Sequence, residues 1–270
     1  MTGLQRAIKY CAVAFAVFLI VSIIGGIVGA LGTVAGLFKG NVAGETQTYK
    51  IEGNIENLDA EIGAASLEIV SGDSFSVESN HKYLTVKEEK NTLKITEKRT
   101  IIGVSSGNVK VVVTVPEDFV FENAEISTGA GKVKIDSLLA KNLTLELGAG
   151  ETDIEKLSVE NRTKISSGTG KLTIRDGELR DLSMEIGVGK LEFCGKLCGD
   201  CKVDYGIGGA DFILSGSKDD YRIELDKGLG EAVIDGEKMS DGEVFGDGDC
   251  RIKIDGGIGS LNIDFEKSEK

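Results

Sequence analysis

Beyond residue 38 the chain alternates apolar and polar residues in short segments, and none of them keeps a helical period. Gly-x-Gly triplets punctuate these segments. They occur at Gly129-Ala130-Gly131, Gly148-Ala149-Gly150, Gly168-Thr169-Gly170, Gly187-Val188-Gly189 and Gly206-Ile207-Gly208, at intervals of 19, 20, 19 and 19 residues. Two looser copies, Gly228-Leu229-Gly230 and Gly257-Ile258-Gly259, follow after 22 and 29 residues, which implies loop insertions. Two residues after each triplet come Val133, Thr152, Leu172, Leu191, Ala210, Ala232 and Leu261, and two further on come Ile135, Ile154, Ile174, Phe193, Phe212, Ile234 and Ile263. Polar residues such as Lys134, Asp153 and Glu192 stand between them. This is the pattern of a half-buried strand.

Before the corner, Ile126, Leu145, Ile165, Met184 and Val203 share one equivalent position. Each unit therefore predicts a strand, a Gly-x-Gly corner, a second strand and a return. One such unit cannot bury its own apolar side, so successive units must stack with aliphatic columns in contact. At about 4.8 Å per rung, seven rungs stand roughly 30 Å tall. The expected fold is an all-β β-solenoid of ~19-residue rungs over 123–265. Residues 45–122 carry a related signal in Gly63-Ala64-Ala65-Ser66-Leu67-Glu68-Ile69, where Ala65 replaces the second glycine, and strand-like runs at Leu93–Thr96 and Val109–Val115. They read as the first turns and the N-terminal cap, with the lone Pro116 ending a strand. The charged tail 266–270 discourages edge pairing at the far end.

The first forty residues change the picture. From Tyr10 to Phe38 there are 29 consecutive uncharged residues, framed by Arg6, Lys9 and Lys39. A bilayer core needs about 20 apolar helical residues. Residues 10–38 thus predict one transmembrane helix after a short cytoplasmic N-terminus at 1–9, with 39–44 as linker. The basic residues ahead of the span favour an N-in orientation, placing the β domain outside the cytoplasm. A cleaved secretory signal ending near Ala30 or Ala35 is the competing reading, and it too exports the domain. Gly25, Gly29, Gly32 and Gly36 share one helical face in two G-x-x-x-G pairs, candidates for a transmembrane association face that would give a homodimer.

The formal net charge is −13. All 44 acidic residues lie beyond residue 40, against 28 Lys and Arg there. Such a surface repels phosphates, so nucleic acid is not an expected partner.

A single span, then a β-rich section, then Val113-Thr114-Val115-Pro116-Glu117 leading through Ile126-Ser127-Thr128-Gly129-Ala130-Gly131 into glycine-punctuated rungs, resembles the bacterial "putative adhesin" domain family of unknown function found in cell-envelope proteins. The resemblance covers about residues 45–265. It implies a β-solenoid and surface exposure, and it leaves the ligand open.

A phosphate loop needs a helix after its glycines, whereas here strands follow. A calcium β-roll needs an Asp ligand after G-G-x-G, and Gly256-Gly257-Ile258-Gly259 is followed by Ser260. Scattered Asp247 and Asp249 could bind Ca²⁺ only weakly. Cys194, Cys198 and Cys201 form a C-x3-C-x2-C run, and with Cys250 they are the metal candidates. Core packing of free thiols and a single disulfide are the alternatives. Aligning Cys250 with Cys201 puts them two rungs, about 9.6 Å, apart, too far for a disulfide. The outward acids Asp136, Glu155, Glu192, Asp211, Asp235 and Asp264 alternate with Lys and Arg, with no dense cluster in any rung. His81 is the single histidine and there is no Trp. No catalytic residue and no cofactor are expected. The reading is a non-catalytic, membrane-anchored surface scaffold or envelope-stress accessory protein. A cell-wall or glycan binding module is the first alternative, and a carbohydrate-active enzyme the second.

Overall fold

The computed structural model describes residues 43–97 and 109–266. The expected span at 10–38, with Gly25, Gly29, Gly32 and Gly36, lies outside the described residues. Among the described residues no helix is long and apolar enough to cross a membrane.

Among the described residues fifteen strands form one winding sheet. They are β1 (Ala43–Lys50), β2 (Asn57–Ile62), β3 (Ser66–Gly72), β4 (Ser76–His81), β5 (Leu84–Glu89), β6 (Thr92–Glu97) and β7 (Lys110–Pro116). Then come β8 (Val120–Arg180), β9 (Leu182–Cys198), β10 (Asp200–Leu214), β11 (Tyr221–Asp226), β12 (Leu229–Ile234), β13 (Glu237–Lys238), β14 (Val244–Phe245) and β15 (Cys250–Phe265). The 61-residue β8 is continuous because its hydrogen bonding carries on through the corners from one rung to the next.

Each turn of the solenoid turns apolar pairs inward. In one turn these are Leu143 and Leu145, then Thr152 and Ile154, then Leu157 and Val159, all buried. The residues between them face out, so the two-residue strand period divides core from surface. Parallel register stacks like on like: Ile165 on Met184, Leu172 on Leu191, and Ile174 on Phe193. Val133, Leu172 and Leu191 are all at or below 3% exposure. The aliphatic columns expected from the repeat are therefore the core.

The glycine corners stack as a column of their own. Gly189 has φ +146°, a conformation L side chains rarely adopt, and a Cβ there would run into the carbonyl oxygen of Gly170 on the rung below. Glycine is required by the closeness of successive backbones as well as by the torsion. At the N-terminal copy, Ala65 replaces the second glycine and is buried at 6% exposure.

The order of rungs departs from the chain order at both ends. The 57–72 rung (β2 and β3) pairs with β8 on one side and with β6 and β7 on the other. The later segment is thus the outer one. At the opposite end β15 lies between β10 and the earlier strands β11 and β12. This corrects the expectation of strictly sequential stacking. Antiparallel strands finish both ends: β5 on β6 and β4 on β7 at one, β14 on β11 and β13 on β12 at the other. Unpaired parallel edges, which would template aggregation, are thereby covered.

Candidate functional site

The face preceding the glycine corner is concave. A groove of about 1050 Å³ runs along the stack from Glu61 and Glu97 at one end to Asp226 and Gly257 at the other. Its floor is the glycine column together with the residue before each corner, among them Thr128, Leu147, Ser167, Ile186 and Tyr205. Its wall is the residue two places before the first glycine of each corner. That residue alternates outward from the buried column, so every rung projects one side chain at the same height on the groove.

Four of these side chains are carboxylates in direct succession. Glu185 is the register partner of Asp204, Asp204 of Asp255, and Asp255 of Asp226. Glu146 and Glu61 extend the acidic wall, with Ser127 and Ser166 interrupting it. Among the described residues no Lys or Arg lines the groove. Lysines beside the groove offset part of the charge: Lys202 and Lys253, each two residues upstream on the same strand, lie 2.7 Å from Asp204 and 3.6 Å from Asp255, and Lys164 on the next rung lies 3.9 Å from Glu146. Facing like charges cost stability, and these lysines relieve some of that. A surplus of negative charge remains along the groove. No single rung is acid-rich, as the sequence indicated, and stacking is what gathers the acids.

At the N-terminal end Glu97 closes the groove floor. Its Oε2 accepts from the backbone N–H of Gly63 at 2.6 Å and of Ala64 at 3.0 Å, at the Ala-containing corner. His81 stands behind it, 6% exposed, with Nε2 3.2 Å from Glu97 Oε1 and Nδ1 accepting from the Tyr83 N–H at 3.1 Å. Both ring nitrogens are thus engaged in holding the corner.

The strand face after the corner behaves differently. Here Asp136, Glu155, Glu192, Asp211 and Asp235 of the outward acids foreseen from the sequence are paired, some within a rung and some across rungs. Arg175 reaches Asp153 at 2.5 Å and Glu155 at 3.0 Å, Lys134 reaches Asp136 at 2.9 Å, and Lys190 bridges Glu192 at 2.7 Å and Asp211 at 3.1 Å. Hydrogen bonds from Lys171 and Lys190 hold the Glu192 carboxyl down at about 2. Asp235 pairs with Lys218 at 3.6 Å.

The cysteines divide into different surroundings. Cys201 is buried in the column between Leu182 and Ile252, and its Sγ donates to the Cys198 carbonyl at 3.4 Å. Burial pushes its thiol up to about 11. Cys194 Sγ lies 3.8 Å from Glu266 Oε1. Cys250 is the register partner of Tyr221, and burial followed by the neighbouring Cys198 thiol raises its pKa. The alignment of Cys250 with Cys201 is therefore corrected: the glycine corner sets Ile254, not Ile252, beside Val203, and β15 adjoins β10 directly. Asp247 and Asp249 lie in the connection leading into β15. Among the described residues no three His, Cys, Asp or Glu side chains are grouped so as to hold a metal ion.

A family model, Toastrack DUF4097, matches residues 49–228. No curated protein matches the chain. Similar solved structures include "a putative adhesin" from Bacteroides fragilis NCTC 9343, 14% identical over 81% of this chain and 96% of that one, with a TM-score of 0.45. "A putative cell adhesion protein" from Clostridium sporogenes ATCC 15579 is 15% identical over 82% and 99%, with a TM-score of 0.40. A "putative lipid binding protein" from Parabacteroides distasonis ATCC 8503 is 17% identical over 83% and 99%, with a TM-score of 0.39.

Proposed function

This chain belongs to the Toastrack DUF4097 family, and from that premise we propose that it is a non-catalytic scaffold, held at the membrane by residues 10–38, that displays its β-solenoid outside the cytoplasm and binds a partner along the groove. The groove carries the reading. It runs across the stacked rungs, its floor is lined by the glycine corners and the residue before each, and six of its wall positions, Glu61, Glu146, Glu185, Asp204, Asp255 and Asp226, are carboxylates. A site of that form suits an extended, positively charged segment lying along the stack, held by many weak and salt-sensitive contacts. The uncharged run from Tyr10 to Phe38 and the basic residues before it support the placement.

Two measurements test the two halves of this reading. Protease applied to intact cells should digest the β domain from outside; protection until the membrane is breached refutes export. The full chain in detergent micelles should bind a fluorescent penta-lysine peptide at low salt and release it at high salt. Glu146→Gln, Glu185→Gln and Asp204→Asn together should weaken that binding about tenfold or more, while Asp136→Asn and Glu155→Gln on the paired face should leave it unchanged. Equal loss from both sets would rule out the groove as the site.

A further inference from the structure

We infer that Cys198 and Cys250 are the two halves of a disulfide that fastens the inserted terminal rung to the body of the stack. Cys198 is the last residue of β9 and Cys250 the first of β15. Between β9 and β10 stands Gly199, at φ +75°. The Arg251 N–H donates to the Gly199 carbonyl at 3.0 Å, and Arg251 is the register partner of Asp200, to which its guanidinium is also bonded at 2.5 and 2.9 Å. Cys250 is thereby set beside Gly199, one residue along from Cys198. Neighbouring strands about 4.8 Å apart and a rise of about 3.3 Å per residue put the two Cα atoms roughly 6 Å apart, inside the window a disulfide spans. Side chains one residue out of register ordinarily point to opposite faces. The left-handed turn at Gly199 removes that obstacle, and the Cys250 thiol's pKa is raised by burial and then by the neighbouring Cys198 thiol.

The neighbouring thiols are excluded by position. Cys201 points into the core between Leu182 and Ile252, and Cys194 is turned to Glu266. Cys198 and Cys250 are both half-buried, so an oxidant can reach them. The bond would enclose the whole connection through β10, β11 and β12, a long loop whose closure restricts the unfolded chain strongly.

The chemistry is thiol–disulfide exchange with an oxidant of the disulfide class, either an oxidised dithiol oxidoreductase or a small disulfide such as oxidised glutathione. The Cys198 thiolate attacks one sulfur of the oxidant and expels the other as a thiol. Cys250 gives up its proton and attacks Cys198 Sγ, expelling the second thiol. The protein loses two electrons and two protons, and the oxidant's disulfide is reduced to two thiols. In the cell the oxidant depends on the export proposed above, but the bond itself can be tested on purified protein.

The full chain in detergent micelles is equilibrated with oxidised and reduced glutathione, alkylated, digested and analysed by mass spectrometry. The expected product is a crosslinked Cys198–Cys250 peptide with Cys201 alkylated once the chain is unfolded. The oxidised protein should melt about 5–15 °C above the reduced one. Cys198→Ser and Cys250→Ser should each abolish that difference, and Cys201→Ala should keep it. A crosslink joining Cys201 to either partner, or full alkylation of all thiols in oxidised glutathione, overturns the inference. If the bond forms in the tube while cells keep both thiols reduced, the pairing stands and export fails.

Discussion

The middle of the stack and its two ends are built from the same rung but closed by different means. From β8 to β10 each rung lies on the one that precedes it in sequence, and the same columns recur: Thr163, Leu182 and Cys201 in one, Ile165, Met184 and Val203 in the next. At the ends the order is broken. The chain places β2–β3 and β15 one rung inside; the outer layer is the later β6 and β7 at one end and the earlier β11 and β12 at the other. A middle rung has identical neighbours above and below. An end rung would have one bare edge. Tucking the terminal strand inside gives it two partners, and the outermost position goes to segments that can add an antiparallel strand of their own. Aromatic residues gather at these exceptions: Phe75, Phe119 and Phe121 at one end, and Tyr221, Phe245 and Phe265 at the other, where the Phe245 and Phe265 rings stack at 5.8 Å. Regularity holds the middle together, and special contacts hold the ends.

The sharpest way to break that contrast is to remove one rung from each region. Ending the chain after Asp249 deletes β15, with Ile252, Ile254, Leu261 and Ile263 all at or below 2% exposure. At about 1.5–3 kcal/mol for each buried aliphatic side chain, the loss is on the order of 6–12 kcal/mol, comparable to the whole stability of a domain. It also strips β11 and β12 of their parallel partner. Limited proteolysis should then cut throughout 215–249, and the melting transition should broaden or vanish. Excising residues 182–200 removes a rung of similar size from the middle, yet joins Asp181 to Cys201, which already shares a column with Leu182. In a stack stabilised by nearest-neighbour contacts the ladder should re-form. That variant should keep its β-sheet circular dichroism and a single transition. If the two deletions are equally damaging, the distinction between middle and end is mistaken.

A smaller but still large effect belongs to the glycine column. Gly189→Val forces a β-branched residue into φ +146° and drives its Cβ toward the Gly170 carbonyl. Strain and overpacking of about 1–3 kcal/mol each give a loss of roughly 2–6 kcal/mol. The comparison is Gly236→Ala, in a turn near the C-terminal end at φ +79°, where nothing lies within 4 Å of the added Cβ. There only the torsional cost of about 1–2 kcal/mol applies. Chemical denaturation should rank the first well below the second. Equal midpoints would show that rung-to-rung closeness is not what demands glycine in the middle.

How much of this was legible in the sequence follows from the same division. The columns were, because each rung repeats one requirement. Glycine marks the corner, and apolar residues two and four places later mark the core, as Leu191 and Phe193 show. The rung order was not. Matching patterns tell which residues share a column, but Val203 is as good a neighbour for Leu225 as for Ile254. The connection through residues 235–249 is long enough to let the chain step out and return between them. The Cys250 alignment fails for a related reason: Cys201 and Cys250 each stand two residues before an apolar residue, Val203 and Ile252, but it is the glycine corner that fixes register. The groove was hidden more deeply. Glu146, Glu185 and Asp204 look in sequence like any exposed strand position, and only the concave bend before the corner turns them into a wall.

The least effect is expected on the paired face, and it concerns pH. Glu192 sits between Lys171 and Lys190, each 2.7 Å from one of its carboxylate oxygens, which holds its pKa at about 2 against an ordinary value of 4.5. A carboxyl whose pKa is depressed by folding binds its proton more readily in the unfolded chain. Its contribution is therefore whole above about pH 4.5 and is lost as the pH falls toward 2. Solvent screens the pair, with about a third of the Glu192 side chain exposed, so the contribution is about 0.5–1 kcal/mol. Glu192→Gln should lower the denaturation midpoint slightly at pH 7 and match the parent chain near pH 2. High salt should shrink the difference as well. A gap between the two proteins that persists at pH 2 would mean that Glu192 stabilises the face through packing and hydrogen bonding that glutamine cannot supply, and the charge ladder after the corner would lose its electrostatic explanation.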